Sequence, residues 1–120
     1  MTNIKSIGFI TYPVKDMARA KKFYEEIFEL TPNPEFDSSG DTWAEYLIGD
    51  SALSLGKMDG WEPSGQGPVL AFEVEDFEGM MEKLKSASVK ILMEPMKFPK
   101  CQMAQAQDSE GNTIMIHKLG

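Results

Sequence analysis

The stretch that decides the fold is Val14-Lys15-Asp16, which ends an apolar run, begins a helical pattern and recurs as Val74-Glu75-Asp76 sixty residues later. Each half of the chain then closes with a short apolar run, Leu53-Ser54-Leu55 in the first and Ile114-Met115-Ile116 in the second. An internal repeat of this kind specifies an architecture more strongly than a single motif does. The sequence therefore predicts two copies of one strand–helix–strands module.

The first copy reads as a strand, a helix and further strands. Residues 7–14 are apolar and rich in β-branched and aromatic side chains, which is typical of a strand. Asp16 is the predicted N-cap of the next helix, because its carboxylate accepts hydrogen bonds from the free amides of the first turn. The later elements are a helix end at 31–34, a turn at 38–41 and a hairpin of residues 42–48 and 52–55.

The second copy repeats this order after a segment rich in glycine and proline. Asp76 is its predicted N-cap, and Pro95 and Pro99 are expected to bracket a loop. The other predicted elements are strands at 69–74, 89–93, 101–107 and 113–117, with a turn at 108–112. We therefore expect one domain over residues 1–120, with module one at about 1–57, a linker at about 58–67 and module two at about 68–120.

The charge balance argues against nucleic acid as a partner, since 12 basic residues stand against 19 acidic ones and the formal net charge is -7. Cys101 is the single cysteine, so no intramolecular disulfide forms and the usual structural zinc patterns are absent. Residues 1–5 are not followed by a long apolar run, so we expect no signal peptide, no membrane partner and a cytosolic location.

Strand alternation divides the side chains between a face covered by the helix and a concave face that receives a ligand. Trp43 and Glu45 share one side of their strand and Tyr46 lies on the other, and we expect at least one of Trp43 and Tyr46 in the core. The residues expected to bind a small-molecule ligand on the concave face are Phe9, Thr11, Trp43, Ser54, Val69, Ala71, Met103, Gln105 and Met115.

Three motifs resemble those of the vicinal oxygen chelate superfamily, which contains glyoxalase I, bleomycin-resistance proteins and extradiol dioxygenases. They are Val14-Lys15-Asp16-Met17-Ala18-Arg19-Ala20 with Phe23-Tyr24, then Phe72-Glu73-Val74-Glu75-Asp76, and Asp108-Ser109-Glu110-Gly111-Asn112. The similarity covers nearly the whole chain and is closest to small glyoxalase-like members. It implies an α+β fold in which two βαβββ modules form a concave mixed sheet with the helices on the outer face. It also implies a homodimer, and Trp61 is a candidate for the subunit contact or for a lid over the pocket.

The metal enzymes of that superfamily carry His, Gln or Glu ligands at four matched positions. Carried onto this chain, the positions are Phe9, Ser54, Val69 and Met115. Phenylalanine and valine have no donor atoms, and a thioether is a poor ligand for hard divalent ions. We therefore expect no metal and no cofactor at these positions.

Two candidates for catalysis remain. His117 is the only histidine and would act as a general base near neutral pH, or lie as a polar residue near the chain end. Cys101 follows Lys97 and Lys100, whose charge would favour a thiolate, and a pair with His117 would resemble an activated nucleophile. The alternative for Cys101 is an inert cysteine that lines the cavity.

Two functions from different classes are compatible with this pattern. The first is a metal-independent binding protein that holds an apolar or aromatic ligand in the concave cleft, similar in design to bleomycin-resistance proteins. The second is a glyoxalase-like lyase or isomerase that uses His117 or Glu73 as its base. The first is favoured by the apolar side chains at the four superfamily positions.

Overall fold

The computed structural model describes residues 6–36 and 41–120. The chain divides into two compact units, Met1–Glu62 and Pro63–Gly120, so the boundary falls inside the predicted 58–67 linker. The organisation as one folded domain stays a prediction. The start of the chain, residues 1–5, and most of the predicted 38–41 turn lie outside the described residues.

Unit one contains β1 (Ile10–Pro13), α1 (Met17–Ile27), a short 3-10 helix (Pro34–Phe36), β2 (Trp43–Ile48) and β3 (Ser51–Gly56). Its strand order is β1-β3-β2, with β1 parallel and β2 antiparallel to β3. The predicted N-cap is present, since Asp16 Oδ1 accepts a hydrogen bond from the Arg19 amide at 3.0 Å. The cap supplies a partner for an amide that the first helical turn leaves free.

The strand expected between α1 and β2 is reduced to a single bridge, Pro32 with Tyr46, within the described residues. The Asn33 amide donates to the Glu45 carbonyl at 2.8 Å, so one hydrogen bond of a ladder is made. Two prolines at positions 32 and 34 prevent its continuation, because proline has no amide hydrogen to donate.

Unit two contains β4 (Leu70–Glu73), α2 (Phe77–Ser86), β5 (Ile91–Phe98), β6 (Cys101–Gln107) and β7 (Thr113–Leu119), in the strand order β4-β7-β6-β5. The loop predicted after Met93 was wrong, because β5 continues through Pro95 to Phe98. This strand lies at an edge of the sheet and its pairing shifts register between Met93 and Met96. An edge position with a bulge is where a strand tolerates proline.

The two units repeat the same strand pairing. In unit one the Cα partners of β1 and β3 are Ile10–Leu53, Thr11–Ser54, Tyr12–Leu55 and Pro13–Gly56. In unit two the corresponding partners of β4 and β7, in the same order, are Leu70–Ile114, Ala71–Met115, Phe72–Ile116 and Glu73–His117. The Val14 amide donates to the Gly56 carbonyl as the Val74 amide does to the His117 carbonyl, each at 2.9 Å. The predicted α+β fold of two βαβββ modules is confirmed, with one strand of the first copy represented by a single bridge among residues 6–36 and 41–120.

The core of each unit is formed by one face of its helix and the strand residues beneath it. In unit one α1 contributes the buried residues Met17, Ala20, Phe23 and Tyr24, and in unit two α2 contributes Phe77, Met81 and Leu84. Tyr46 is also fully buried and its hydroxyl donates to Glu25 Oε2 at 2.8 Å, which confirms that one of the two β2 aromatics is core. No helix within the described part of the chain is long and apolar enough to cross a bilayer.

Candidate functional site

The distal face of a sheet is defined here as the face opposite its own helix. In unit two the helix side is marked by the buried residues Ala104, Ala106, Ile114 and Ile116. Directly paired residues share a face, so the pairing register assigns the remaining side chains to rows across the distal face. The central row consists of Met96, Met103, His117 and Glu73. The row on one side of it consists of Met93, Gln105, Met115 and Ala71. The row on the other side consists of Phe98, Cys101 and Leu119.

Four of the nine methionines therefore lie on this one distal face. The bulge in β5 places both Met93 and Met96 on this face. The three-residue step from Met93 to Met96 on β5 lies opposite a step of only two residues, from Gln105 to Met103, on β6. Met96 is 47% exposed and Phe98 44% exposed, whereas Met93, Met103 and Met115 are half-buried. The surface is polarizable and adaptable, as thioether side chains make it.

His117 and Glu73 are joined at the β4 end of the central row. His117 Nδ1 lies 2.6 Å from Glu73 Oε1, and Glu73 Oε2 accepts a hydrogen bond from the Leu119 amide at 2.7 Å. The hydrogen bond with His117, followed by that from the Leu119 amide, holds the pKa of Glu73 below its usual value. Both interactions favour the ionised carboxylate.

Cys101 is half-buried and lies opposite Leu119 and Phe98, so it is a diagonal neighbour of His117. The direct neighbour of His117 on β6 is Met103. Lys97 pairs with Gln102, one residue on from Cys101, so alternation places it on the opposite face from the thiol. The direct side-chain partner of His117 in the structure is therefore Glu73, and Cys101 lies diagonal to it.

In unit one the distal face is identified by the buried residues Ala44 and Tyr46 on the helix side of β2. Its central row is Thr11, Ser54 and Glu45. Ser54 is fully buried, and its Oγ has no hydrogen-bond partner among the described residues. Glu45 is half-buried and accepts from Asn33 Nδ2 at 3.4 Å. Sequence reasoning left the face of Glu45 open, and only its pairing with Ser54 assigns it.

Phe9 and Trp43 contact each other edge to face on unit one, with ring centroids 6.3 Å apart. Phe9 is 55% exposed and Trp43 is half-buried. Trp43 pairs with Gly56 and so shares the distal face with Ser54 and Glu45. Aromatic surface of this kind suits a flat or apolar ligand.

The four superfamily ligand positions do not fit a divalent metal ion. Phe9 and Val69 are exposed hydrocarbons, Ser54 is buried, and Met115 offers only a thioether. Within residues 6–36 and 41–120, no group of three His, Cys, Asp or Glu side chains is placed to hold a metal. A catalytic zinc site uses about three nitrogen, oxygen or thiolate ligands from the protein.

Trp61 lies against the end of its own unit's sheet. A methyl group at Gly56 would come within 2.8 Å of the Trp61 ring and 3.1 Å of the Trp43 ring. Trp61 also lines an open pocket of about 420 Å³ whose rim carries the ion pairs Lys15–Glu62 at 2.9 Å and Lys57–Asp41 at 3.0 Å. The hydrogen bond from Lys57 holds the pKa of Asp41 below its usual value.

Comparison with known proteins identifies a superfamily for this chain. The model of the Glyoxalase/Bleomycin resistance protein/Dioxygenase superfamily matches residues 6–116. The uncharacterized protein YetH of Bacillus subtilis (strain 168) is 28% identical over an alignment of 120 positions, which covers 94% of this chain and 98% of YetH.

Two solved structures illustrate the likeness in fold. A glyoxalase/dioxygenase from Nostoc punctiforme has a TM-score of 0.84 at 18% identity, covering 98% of this chain and 93% of its own. TnmS3, an antibiotic binding protein from Streptomyces sp. CB03234, has a TM-score of 0.80 at 21% identity, with both chains fully covered. At these identities the likeness is one of fold.

Proposed function

Because the chain belongs to the glyoxalase/bleomycin resistance protein/dioxygenase superfamily, we propose that it performs the binding rather than the divalent-metal chemistry found in that group. In this proposal the distal face of each sheet offers residues that bind an apolar or aromatic small molecule. The residues proposed to bind it are Phe9, Thr11, Trp43, Ser54, Val69, Ala71, Met103, Gln105 and Met115. No divalent metal takes part, because the superfamily ligand positions carry side chains that do not suit one.

The observation that carries this proposal is the concentration of thioethers on the distal face of unit two. Met93, Met103 and Met115 surround Gln105, so one amide group lies within an otherwise apolar and polarizable area. Ligand sites commonly combine predominantly apolar walls with a small number of polar groups that orient the ligand. Unbranched methionine side chains adapt to ligands of irregular shape, which suits a binding surface more than a rigid catalytic one.

The likeness to TnmS3 supports a binding role through the fold alone. That structure is described as an antibiotic binding protein, and it is matched over the full length of both chains. It shows that this architecture is compatible with binding of an organic molecule. The ligand of the present chain is therefore proposed by class, as an apolar or aromatic compound, and not by name.

Binding of the dye 8-anilinonaphthalene-1-sulfonate to the folded protein tests this proposal. We expect saturable fluorescence enhancement that weakens about tenfold in Met115→Gln or Met103→Gln, which corresponds to about 1.4 kcal/mol. Met58→Gln is the matched control, because Met58 is 48% exposed and lies outside the distal faces. Equal affinity in all of these variants would contradict binding on this face, as would a loss confined to Met58→Gln.

The His117–Glu73 pair favours a second candidate, a glyoxalase-like lyase or isomerase. The interactions of the Glu73 carboxylate with His117 and the Leu119 amide make it a weak base, so His117 is the better candidate. Cys101 remains a candidate for cavity lining and a weaker one for catalysis. Stoichiometric Zn²⁺, Ni²⁺ or Fe²⁺ in the purified protein would favour this enzyme function over the binding function.

We also propose a homodimer in the cytosol. The exposed apolar surface available for a subunit contact includes Trp61, which is 39% exposed. A single cysteine that forms no intramolecular disulfide is typical of a reducing compartment. Light scattering at micromolar concentration is expected to give twice the mass of 13.4 kDa, and a monomer mass would refute the dimer.

A further inference from the structure

The central row of the distal face in unit two carries three soft metal ligands, of which only Met103 also belongs to the proposed organic-ligand site. Met96 pairs with Met103, and Met103 pairs with His117. These are three neighbouring positions on three adjacent strands. We propose that Met96, Met103 and His117 form a binding site for a soft monovalent metal ion, Cu(I), separate from the four superfamily ligand positions.

The geometry follows from the strand pairing. Residues directly opposite each other on neighbouring antiparallel strands have Cβ atoms about 4.5–5.5 Å apart. Met103 therefore lies between Met96 and His117, close to each. Methionine has three rotatable side-chain bonds, so both thioether sulfurs are able to turn toward one point above Met103. Met96 is 47% exposed and Met103 half-buried, which leaves room for an ion to enter.

The imidazole is already held in the manner of a metal ligand. Nδ1 of His117 is 2.6 Å from Glu73 Oε1, and the carboxylate is in turn fixed by the Leu119 amide at 2.7 Å. Ligating histidines commonly use one ring nitrogen for the metal and the other for such a carboxylate. The contact turns Nδ1 toward β4 and leaves Nε2 as the nitrogen available for coordination.

The donor set selects the ion. Thioethers are soft ligands that favour Cu(I), whereas Mg²⁺, Ca²⁺ and Mn²⁺ require oxygen donors. Two neutral thioethers and one neutral imidazole add no charge to a monovalent cation, and the Glu73 carboxylate behind His117 supplies one negative charge nearby. Cys101 lies diagonally across from His117, but the site does not depend on its thiol.

This inference does not depend on the proposed organic ligand, although the two sites share Met103 on one face of the sheet. Its test is an anaerobic titration of the apo protein with Cu(I), in competition with the chromophoric chelator bicinchoninate. Met96→Leu and Met103→Leu remove sulfur and keep an apolar side chain of similar size, so folding is preserved. We expect each to weaken Cu(I) binding at least about tenfold, and His117→Asn to weaken it as much.

Two controls separate this site from simpler explanations. Met58→Leu removes a methionine of matching exposure, 48%, outside the row, and should leave Cu(I) affinity unchanged. Cys101→Ser should also retain binding. A loss of Cu(I) binding confined to Cys101→Ser would assign the metal to an adventitious thiol and overturn the proposal. Unchanged Cu(I) affinity in Met96→Leu and Met103→Leu would overturn it as well.

A second readout does not depend on affinity. With methyl-¹³C methionine, the redox-stable ion Ag(I) should shift the methyl signals of Met96 and Met103 at one equivalent and leave that of Met58 in place. Equal broadening or shifting of all methionine signals would indicate non-specific binding and contradict a built site.

Discussion

Glu73 and His117 form a hydrogen-bonded pair, 2.6 Å from Oε1 to Nδ1, at the position where the first module has Pro13 and Gly56. The backbone pairing at the two positions is the same, so the repeat supplies the framework and the side chains supply the difference. In unit one the equivalent glycine makes room for the Trp61 ring. The ends of the two sheets therefore differ, since one carries an aromatic cover and the other a hydrogen-bonded glutamate–histidine pair.

Because of the Glu73–His117 pair, the free energy of unfolding should fall when the solution is made acid. The pKa of Glu73 is lowered by the hydrogen bond with His117 and then by that from the Leu119 amide, and the nearby charge of Lys118 acts in the same direction. A carboxyl with a lowered folded-state pKa contributes stability above its unfolded pKa and loses it as the pH falls through the folded value. The free energy of unfolding should therefore decline as the pH falls below about 4.5, the ordinary pKa of a glutamate side chain.

Urea unfolding of the native protein and of Glu73→Gln at several pH values measures this contribution. The two proteins should differ at pH 6 and converge in acid, where the native carboxyl is protonated. Glu75→Gln is the control, because Glu75 is exposed and next to the same strand. A difference between native protein and Glu73→Gln that stays constant down to pH 2 would contradict the assignment.

Ser54→Ala should leave the protein as stable or make it more stable. The Ser54 hydroxyl is fully buried and has no hydrogen-bond partner among the described residues. An unsatisfied buried polar group costs about 1–3 kcal/mol, so its removal should raise the free energy of unfolding by up to that amount. Ser51→Ala, at an exposed position of β3, is the control and should change little. A marked loss of stability in Ser54→Ala would mean that the hydroxyl has a partner, such as a buried water.

Asp108→Ala should destabilise the last hairpin. Asp108 Oδ1 accepts hydrogen bonds from the amides of Glu110 at 2.9 Å and Asn112 at 2.8 Å, and Oδ2 accepts from Asn112 Nδ2 at 3.1 Å. Asp108 and Asn112 are both buried, so the donors left behind would lack solvent. Leaving a buried donor unsatisfied costs about 1–3 kcal/mol.

Thermal unfolding of Asp108→Ala should therefore begin at a clearly lower temperature than that of the native protein. Asp50→Ala, in the exposed hairpin turn of unit one, is the matched control. Asp108→Asn keeps the oxygen that accepts the hydrogen bonds from the two backbone amides. Its melting temperature should therefore lie between those of Asp108→Ala and Asp50→Ala. Equal melting temperatures for Asp108→Ala and Asp50→Ala would show that the turn forms without this side chain.

Divalent ions should not stabilise the protein. An ion that binds only the folded state adds about 2.7 kcal/mol at a hundredfold excess over its Kd, which raises the Tm measurably. Because Phe9, Ser54, Val69 and Met115 occupy the superfamily ligand positions, the Tm should stay flat with Zn²⁺, Ni²⁺, Mn²⁺ and Fe²⁺. A clear rise that disappears in Met115→Ala or His117→Ala would contradict this. A rise lost in His117→Ala alone would place the terminal ligand at His117 and favour the enzyme function.

Local sequence patterns were sufficient for the repeat, for both helix caps and for the division of most strands between two faces. Asp16 and Asp76 cap their helices as predicted, with hydrogen bonds of 3.0 and 2.9 Å to the Arg19 and Gly79 amides. These features depend on residues within a few positions of one another. Alternation in a strand likewise needs only the period of two, so the buried set containing Tyr12 was accessible from sequence.

Only the tertiary structure decided which side chains meet across strands. Pro95 lies within β5 rather than in a loop because an edge strand with a bulge tolerates a residue that cannot donate. The same bulge sets Met96 opposite Met103, and the β6–β7 and β4–β7 registers set His117 between Met103 and Glu73. Register is a property of residues far apart in the chain, and a shift of one position would move every one of these side chains to the other face. The sequence by itself therefore determined the two modules and their cores, while long-range pairing alone determined the methionine face and the partner of its one histidine.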